Sequence, residues 1–267
     1  MSRAQAVEAL PAPPARVDLD RLRHRLERLG LSFAAERLAD VLTDAVKHDR
    51  GGPGLVEALL DIELDRREER RVTKALQLSA LPTGQTIANF DFAFQPSVQR
   101  SKIETLATCA WVREKHSLLI LGPPGVGKTH LAVALGSKAV QCGFSVAFYR
   151  LDELLHVMRT HADVPPKQLR RQKYMKPALL IIDEVGFQPF TREDASLFFR
   201  LVSYRYGRGS ILITSNKSVR DWPEMLAGDE VLTAAILDRL LHASHVLNIR
   251  GRSYRLKDLD ASLRAQG

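Results

Sequence analysis

Gly122-Pro123-Pro124-Gly125-Val126-Gly127-Lys128-Thr129 follows the apolar run Leu118-Leu119-Ile120-Leu121 and leads into a helical pattern through Leu131, Val133, Ala134 and Leu135. A strand, a glycine-rich turn and a helix in that order form the phosphate-loop pattern. The glycines let the backbone curl until its N–H groups and the N-terminus of the next helix face phosphate oxygens. Gly122, Pro123, Pro124, Gly125, Val126, Gly127, Lys128 and Thr129 are therefore expected to bind a nucleotide. Lys128 is placed to reach the β and γ phosphates of ATP, and the Thr129 hydroxyl to ligate Mg²⁺. His130 falls next to the loop and is grouped with the cofactor-binding residues by position, while its own side chain reads as helix packing rather than catalysis.

Four more apolar runs lie outward from the loop, each separated from the next by helical pattern: Val146 to Tyr149, Ala178 to Ile182, Ile211 to Thr214 and Val246 to Ile249. Five short buried strands alternating with helices predict an α/β fold with a five-stranded parallel sheet covered on both faces. The third run ends in Asp183-Glu184, at the carboxyl edge where open parallel sheets bind ligands. Asp183 suits the magnesium shell with Thr129, and Glu184 suits general-base activation of water. The run Ile211-Leu212-Ile213-Thr214-Ser215-Asn216 ends in an amide that could orient water or sense the γ-phosphate, although Asn after a strand is also ordinary turn chemistry.

Towards the N-terminus the texture is different. Residues 1–17 form a Pro/Ala-rich tail, and residues 18–80 read as a small all-helical domain. Its first helix carries Leu19, Leu22, Leu26 and Leu29 between a capping Asp18 and a terminating Gly30. A second opens at Ser32, and a third starts near Pro53 and runs into a mixed-charge stretch from Asp65 to Arg71. Residues 81–267 form the larger domain, with a single helix expected from Ser97 to about Lys115 and too few residues after Ile249 for more than a vestigial C-terminal lid.

Composition narrows the partners. Of 39 basic and 31 acidic residues, 14 of each lie in 1–80, so 25 basic face 17 acidic in 81–267 and the whole net charge of +8 belongs there. A basic domain invites a polyanion, most often nucleic acid. The apolar runs are far shorter than the ~20 residues of a spanning helix, and the proline-broken N-terminus lacks a signal-peptide core, so the expected setting is the cytoplasm, with no membrane partner. Cys109 and Cys142 cannot build a disulfide framework or a four-ligand zinc site and read as core thiols.

GPPGVGKT, LLIIDE and ITSN, at these spacings and in this order, resemble an AAA+ ATPase. The stretch ILDRLLHASHVLNIRGRSYR, with Ala88-Asn89-Phe90-Asp91-Phe92 before the core, narrows the likeness to the DnaC/IstB branch and within it to IstB-like helper ATPases of transposition. The resemblance implies an ATP- and Mg²⁺-dependent ATPase that self-associates, binds double-stranded DNA and serves a cognate transposase. A DnaC-like helicase loader is the alternative, and a nucleotide switch without DNA binding is a third class. It also gives residues their roles. Asn216 matches the sensor-1 position, Arg239 in Leu237-Asp238-Arg239-Leu240 matches the arginine finger inserted into a neighbouring subunit's ATP site, and Arg255 corresponds to a sensor-2 arginine.

The expected DNA contacts sit between the second strand and the Asp183 strand, where initiator-type relatives carry an extra helical insertion. Lys167, Arg170, Arg171, Lys173 and Lys176 put five basic residues in ten with no acid among them, a composition suited both to phosphate contacts and to a solvated loop.

Overall fold

The computed structural model describes residues 18–161 and 164–256, with Pro166 and Lys167 as backbone only. The N-terminal tail falls outside the described residues. The chain divides into two compact units at Arg71/Val72, inside one long helix.

The first unit holds α1 (Leu19–Arg28), α2 (Ser32–Lys47) and the start of α3 (Gly52–Ser79). Asp18 caps α1 by accepting from the amides of Asp20 and Arg21, and Gly30 ends it at φ 76°. The N-terminus of α2 is capped from a distance. The Glu63 side chain on α3 accepts from the amides of Phe33 (2.9 Å) and Ala34 (3.1 Å), while Arg67 bridges Glu63 (2.8 Å) and the Gly30 carbonyl (2.6 Å). Burial alone would raise the pKa of Glu63, but these donors outweigh it and hold the carboxyl below its ordinary value. The sequence boundary at residue 80 marks the end of the helical pattern. Contacts divide the chain earlier because Val72, Ala75 and Leu76, on the last turns of α3, pack into the core of the second unit.

The second unit is the expected α/β layer structure. Its elements run α4 (Arg100–Ala107), α5 (Ala110–Arg113), β1 (Ser117–Leu121), α6 (Lys128–Gln141), β2 (Val146–Arg150), α7 (Leu151–Thr160), α8 (Pro166–Leu169), β3 (Leu179–Val185), α9 (Arg192–Arg205), β4 (Ser210–Ser215), α10 (Trp222–Met225), α11 (Glu230–Leu241) and β5 (Ser244–Asn248). All strand pairs are parallel, in the order β2-β3-β4-β1-β5. Alternate residues feed two cores. Leu119, Leu180, Ile182, Ile211 and Ile213 pack with α7, α9 and α11 on one face, and Leu118, Ile120, Leu179, Ile181 and Leu212 pack with α4 and α6 on the other. This double burial is why the strands read as unbroken apolar runs.

Two expectations need correction. The helix over 97–115 is broken at Cys109, which takes a left-handed φ of 58°. The Thr108 hydroxyl and the Trp111 indole donate to the carbonyls of Thr105 and Leu106, which also accept from the Thr108 and Cys109 amides, so that end is satisfied locally without further helix. Cys109 is a buried thiol whose pKa burial pushes up to about 12, but Cys142 is exposed at the end of α6 and is no core residue. After β5 the described chain makes only a short 3-10 turn, Tyr254–Leu256.

Candidate active site

The phosphate loop spans the gap between β1 and α6, and three of its glycines are there for lack of space and for φ. A Cβ on Gly122 (φ 153°) would strike the Ile249 carbonyl, one on Gly125 (φ 78°) would strike Ser253, and one on Gly127 (φ 95°) would strike the Phe90 ring. Lys128, the first residue of α6, folds back to donate to the Pro123 carbonyl at 2.8 Å. Desolvation lowers its pKa and Arg255 adds to that, against the opposing pull of Asp183 and Glu184. The ammonium is therefore held in a partly dry site where an anion would replace the carbonyl as its partner.

Asp183 meets this helix from β3. Both of its carboxylate oxygens lie 3.0 Å from the Thr129 hydroxyl, and the carboxylate is 4% exposed. One hydroxyl and one carboxylate are the sparse oxygen set that Mg²⁺ uses alongside water and phosphate. Glu184 stands at φ 62°, its carboxylate 2.9 Å from the Arg150 guanidinium at the end of β2. Asn216 follows β4, and its buried side-chain oxygen has no partner among the described residues. Lys128, Thr129, Glu184, Asn216 and Arg255 line a cavity of about 370 Å³, with Asp183 behind Thr129. Its opposite wall is the segment before α4, where Phe90 meets the His130 ring edge-on at 5.3 Å. His130 also bonds the Thr86 carbonyl at 2.8 Å, so it both packs, as its sequence position suggested, and borders the cavity.

The segment after β5 closes over the loop. The Tyr254 amide donates to the Gly125 carbonyl at 2.8 Å, the Gln95 side chain donates to the Arg252 carbonyl, and the Ser97 hydroxyl to the Arg250 carbonyl. Without a lid helix among the described residues, this strap brings Arg255 to the cavity.

The structure does not bring Arg239 there. It sits near the end of α11, its guanidinium 5.1 Å above the Phe199 ring and bonded to the Ala235 carbonyl, beside a second cavity of about 250 Å³ at the amino edge of the sheet. Nor are the expected DNA contacts near the nucleotide cavity. Arg170, Arg171, Lys173 and Lys176 are exposed and have no ion pair among the described residues, and the Lys167 side chain lies outside the described part of the chain. The stretch after them is anchored by Arg205, a residue that is 1% exposed and has no carboxylate partner among the described residues. It donates to the carbonyls of Met175 (3.1 Å), Pro177 (2.9 Å) and Ser210 (2.7 Å), and burial lowers its pKa to about 10. Sequence reasoning missed Arg150, Thr214 and Arg205 as contributors. For Arg150 a signal existed, since a charged residue closes the apolar run Val146 to Tyr149; its register with Asp183 is seen only in the structure.

Residues 24–262 match the family of IstB-like ATP binding proteins. The ATP-binding protein of insertion sequence IS21 from Pseudomonas aeruginosa is 43% identical over 241 residues, covering 90% of this chain and 89% of the relative. That of insertion sequence IS5376 from Geobacillus stearothermophilus is 36% identical, covering 90% and 95%. Among solved structures, the replication initiator DnaA bound to AMPPCP and single-stranded DNA superposes with a TM-score of 0.53 at 21% identity, over 70% of this chain and 56% of that one, a likeness of fold.

Proposed function

This chain belongs to the IstB-like ATP binding protein family, and from that premise we propose that it is a Mg²⁺-dependent ATPase that assembles on duplex target DNA and recruits or activates a transposase. The observation that carries the enzymatic part is the meeting of Thr129, Asp183 and Glu184 beside Lys128 at the mouth of a phosphate loop.

In this reading the loop amides and Lys128 hold the phosphates, and Thr129 and Asp183 hold Mg²⁺. The metal, when bound, neutralises the charge on the phosphate oxygens. Glu184 takes the proton of the water that attacks the γ-phosphorus as the bond to ADP breaks. The ion pair with Arg150 occupies that carboxylate, and it must loosen for Glu184 to face the water. The unpartnered oxygen of Asn216 is suited to orienting the water. Arg239, remote from its own cavity, supplies positive charge to the cavity of the next copy, so ATP binding builds the assembly and hydrolysis dismantles it. Residues 18–80 dock the transposase, and the exposed bases from Arg170 to Lys176 hold DNA phosphates. The work is done in the cytoplasm, and no described helix is long and apolar enough to cross a membrane.

Anisotropy titration with labelled duplex and single strands, with and without ATP, tests the proposal. ATP-dependent preference for duplex is expected. A preference for single strands would move the reading to a helicase loader, and no DNA binding with ATP present would leave a nucleotide switch.

A further inference from the structure

The ladder between β3 and β4 carries an irregularity at the point where the chemistry lies. Ile182 pairs with Ile213 and Val185 with Ser215, so Asp183 and Glu184 stand together opposite the single residue Thr214. Two residues facing one is a β-bulge, a device that re-aims a side chain. In an unbroken strand Asp183 and Glu184 would point to opposite faces. Here the left-handed φ of 62° at Glu184 lets both carboxylates serve the phosphate-loop side of the sheet.

A glutamate does not adopt that backbone unaided, and such conformations persist where their surroundings over-determine them. The bulge takes the Glu184 amide out of the regular ladder, and the Thr214 hydroxyl meets it. That hydroxyl accepts from the Glu184 N–H at 3.0 Å and donates its own proton to an Asp183 carboxylate oxygen. Thr214 is 1% exposed, so neither bond can be replaced by bulk water. One buried hydroxyl thus joins the metal-binding carboxylate to the backbone of the base.

We infer that Thr214 is a positioning residue for hydrolysis, setting the aim of Glu184 through its amide while leaving nucleotide affinity to the phosphate loop. The inference rests on the reading of Glu184 as the general base. Thr214→Val keeps the shape and removes the hydroxyl, and Thr214→Ser keeps the hydroxyl. Thr214→Ala supplies a second hydroxyl-free variant should valine strain the strand. Affinity for a fluorescent ATP analogue and turnover at saturating ATP are measured on each, in the full chain.

In Thr214→Val and Thr214→Ala, affinity is expected within about threefold of wild type and turnover at least tenfold lower, up to the roughly 10²-fold loss that misplacement of a reacting group produces. Thr214→Ser should recover most of the turnover. Wild-type turnover without the hydroxyl, equal impairment in the serine variant, or parallel loss of affinity and turnover would overturn the inference. Glu184→Gln separates this from the underlying reading. If it hydrolyses ATP normally, the base assignment itself is wrong. If it is inactive while both hydroxyl-free variants turn over normally, only the role of Thr214 falls.

Discussion

The two edges of the sheet are built on opposite terms. At the carboxyl edge, charged and polar groups from α6, β3 and the segment after β5 converge on one cavity, and most are already engaged: Thr129 with Asp183, Glu184 with Arg150 of β2, Lys128 with the Pro123 carbonyl. At the amino edge, Arg239 is held among the described residues by its own helix and the Phe199 ring, and on the α7–β3 connection Arg170, Arg171, Lys173 and Lys176 are exposed with no ion pair among the described residues, Arg170 lying 6.0 Å over the Tyr204 ring. A site whose groups satisfy one another can be assembled by one chain, whereas exposed cations held apart from acids are left to water or to a second molecule. The carboxyl edge therefore has the form of a reaction site, and the outward charges are where the proposed contacts with another copy and with DNA would be made.

The largest expected effects lie at the carboxyl edge. Lys128→Ala should abolish binding of labelled ATP, and Glu184→Gln should bind it normally while losing hydrolysis. Equal affinity of Lys128→Ala and wild type would break the contrast at its stronger end. Next come the outward bases. Each phosphate contact removed should flatten the log–log salt dependence of DNA binding by about 0.9, so replacing Arg170, Arg171 and Lys173 with Ala should lower the slope by up to about 2.7. Binding should weaken similarly on unrelated sequences, with ATP affinity unchanged. An unchanged slope would place the contacts elsewhere.

The smallest effect tests stability away from both edges. Glu63→Gln weakens the cap of α2 and should cost about 1 kcal/mol in urea unfolding at pH 7. Because the folded pKa of Glu63 lies below its ordinary 4.5, the stability from its charge is present above that value and is lost as the pH falls through the folded pKa. The gap between wild type and variant should therefore close on acidification. A gap that persists at low pH would show that charge is not what caps the helix.

Features set by local pattern were legible in the sequence. Leu118 to Leu121 reads as a buried strand because both of its faces are covered, and the phosphate loop reads from its glycines because the backbone there needs their φ and their lack of a Cβ. Asp183 and Glu184 could be found because polar residues that end an apolar strand fall at the ligand edge. Features that escaped depend on partners distant in sequence. The bulge opposite Thr214 is a property of two strands, the cap on α2 comes from another helix, and the burial of Arg205 rests in part on the carbonyls of Met175 and Pro177, about thirty residues away. The break at Cys109 coincides with the reach of the Trp111 indole and the Thr108 hydroxyl to the last carbonyls of α4.

Mixing two inactive variants tests most directly the claim that one edge is completed by the other edge of a neighbour. Arg239→Ala keeps an intact cavity and should lose on the order of 10³- to 10⁵-fold in ATP turnover, the range for an arginine finger. Lys128→Ala keeps the finger and lacks the cavity's lysine. Combined, they should regain measurable hydrolysis that peaks at intermediate ratios, because some interfaces then pair an intact Arg239 with an intact phosphate loop. No recovery at any ratio, in mixtures shown to co-assemble, would contradict the account and confine Arg239 to its own subunit.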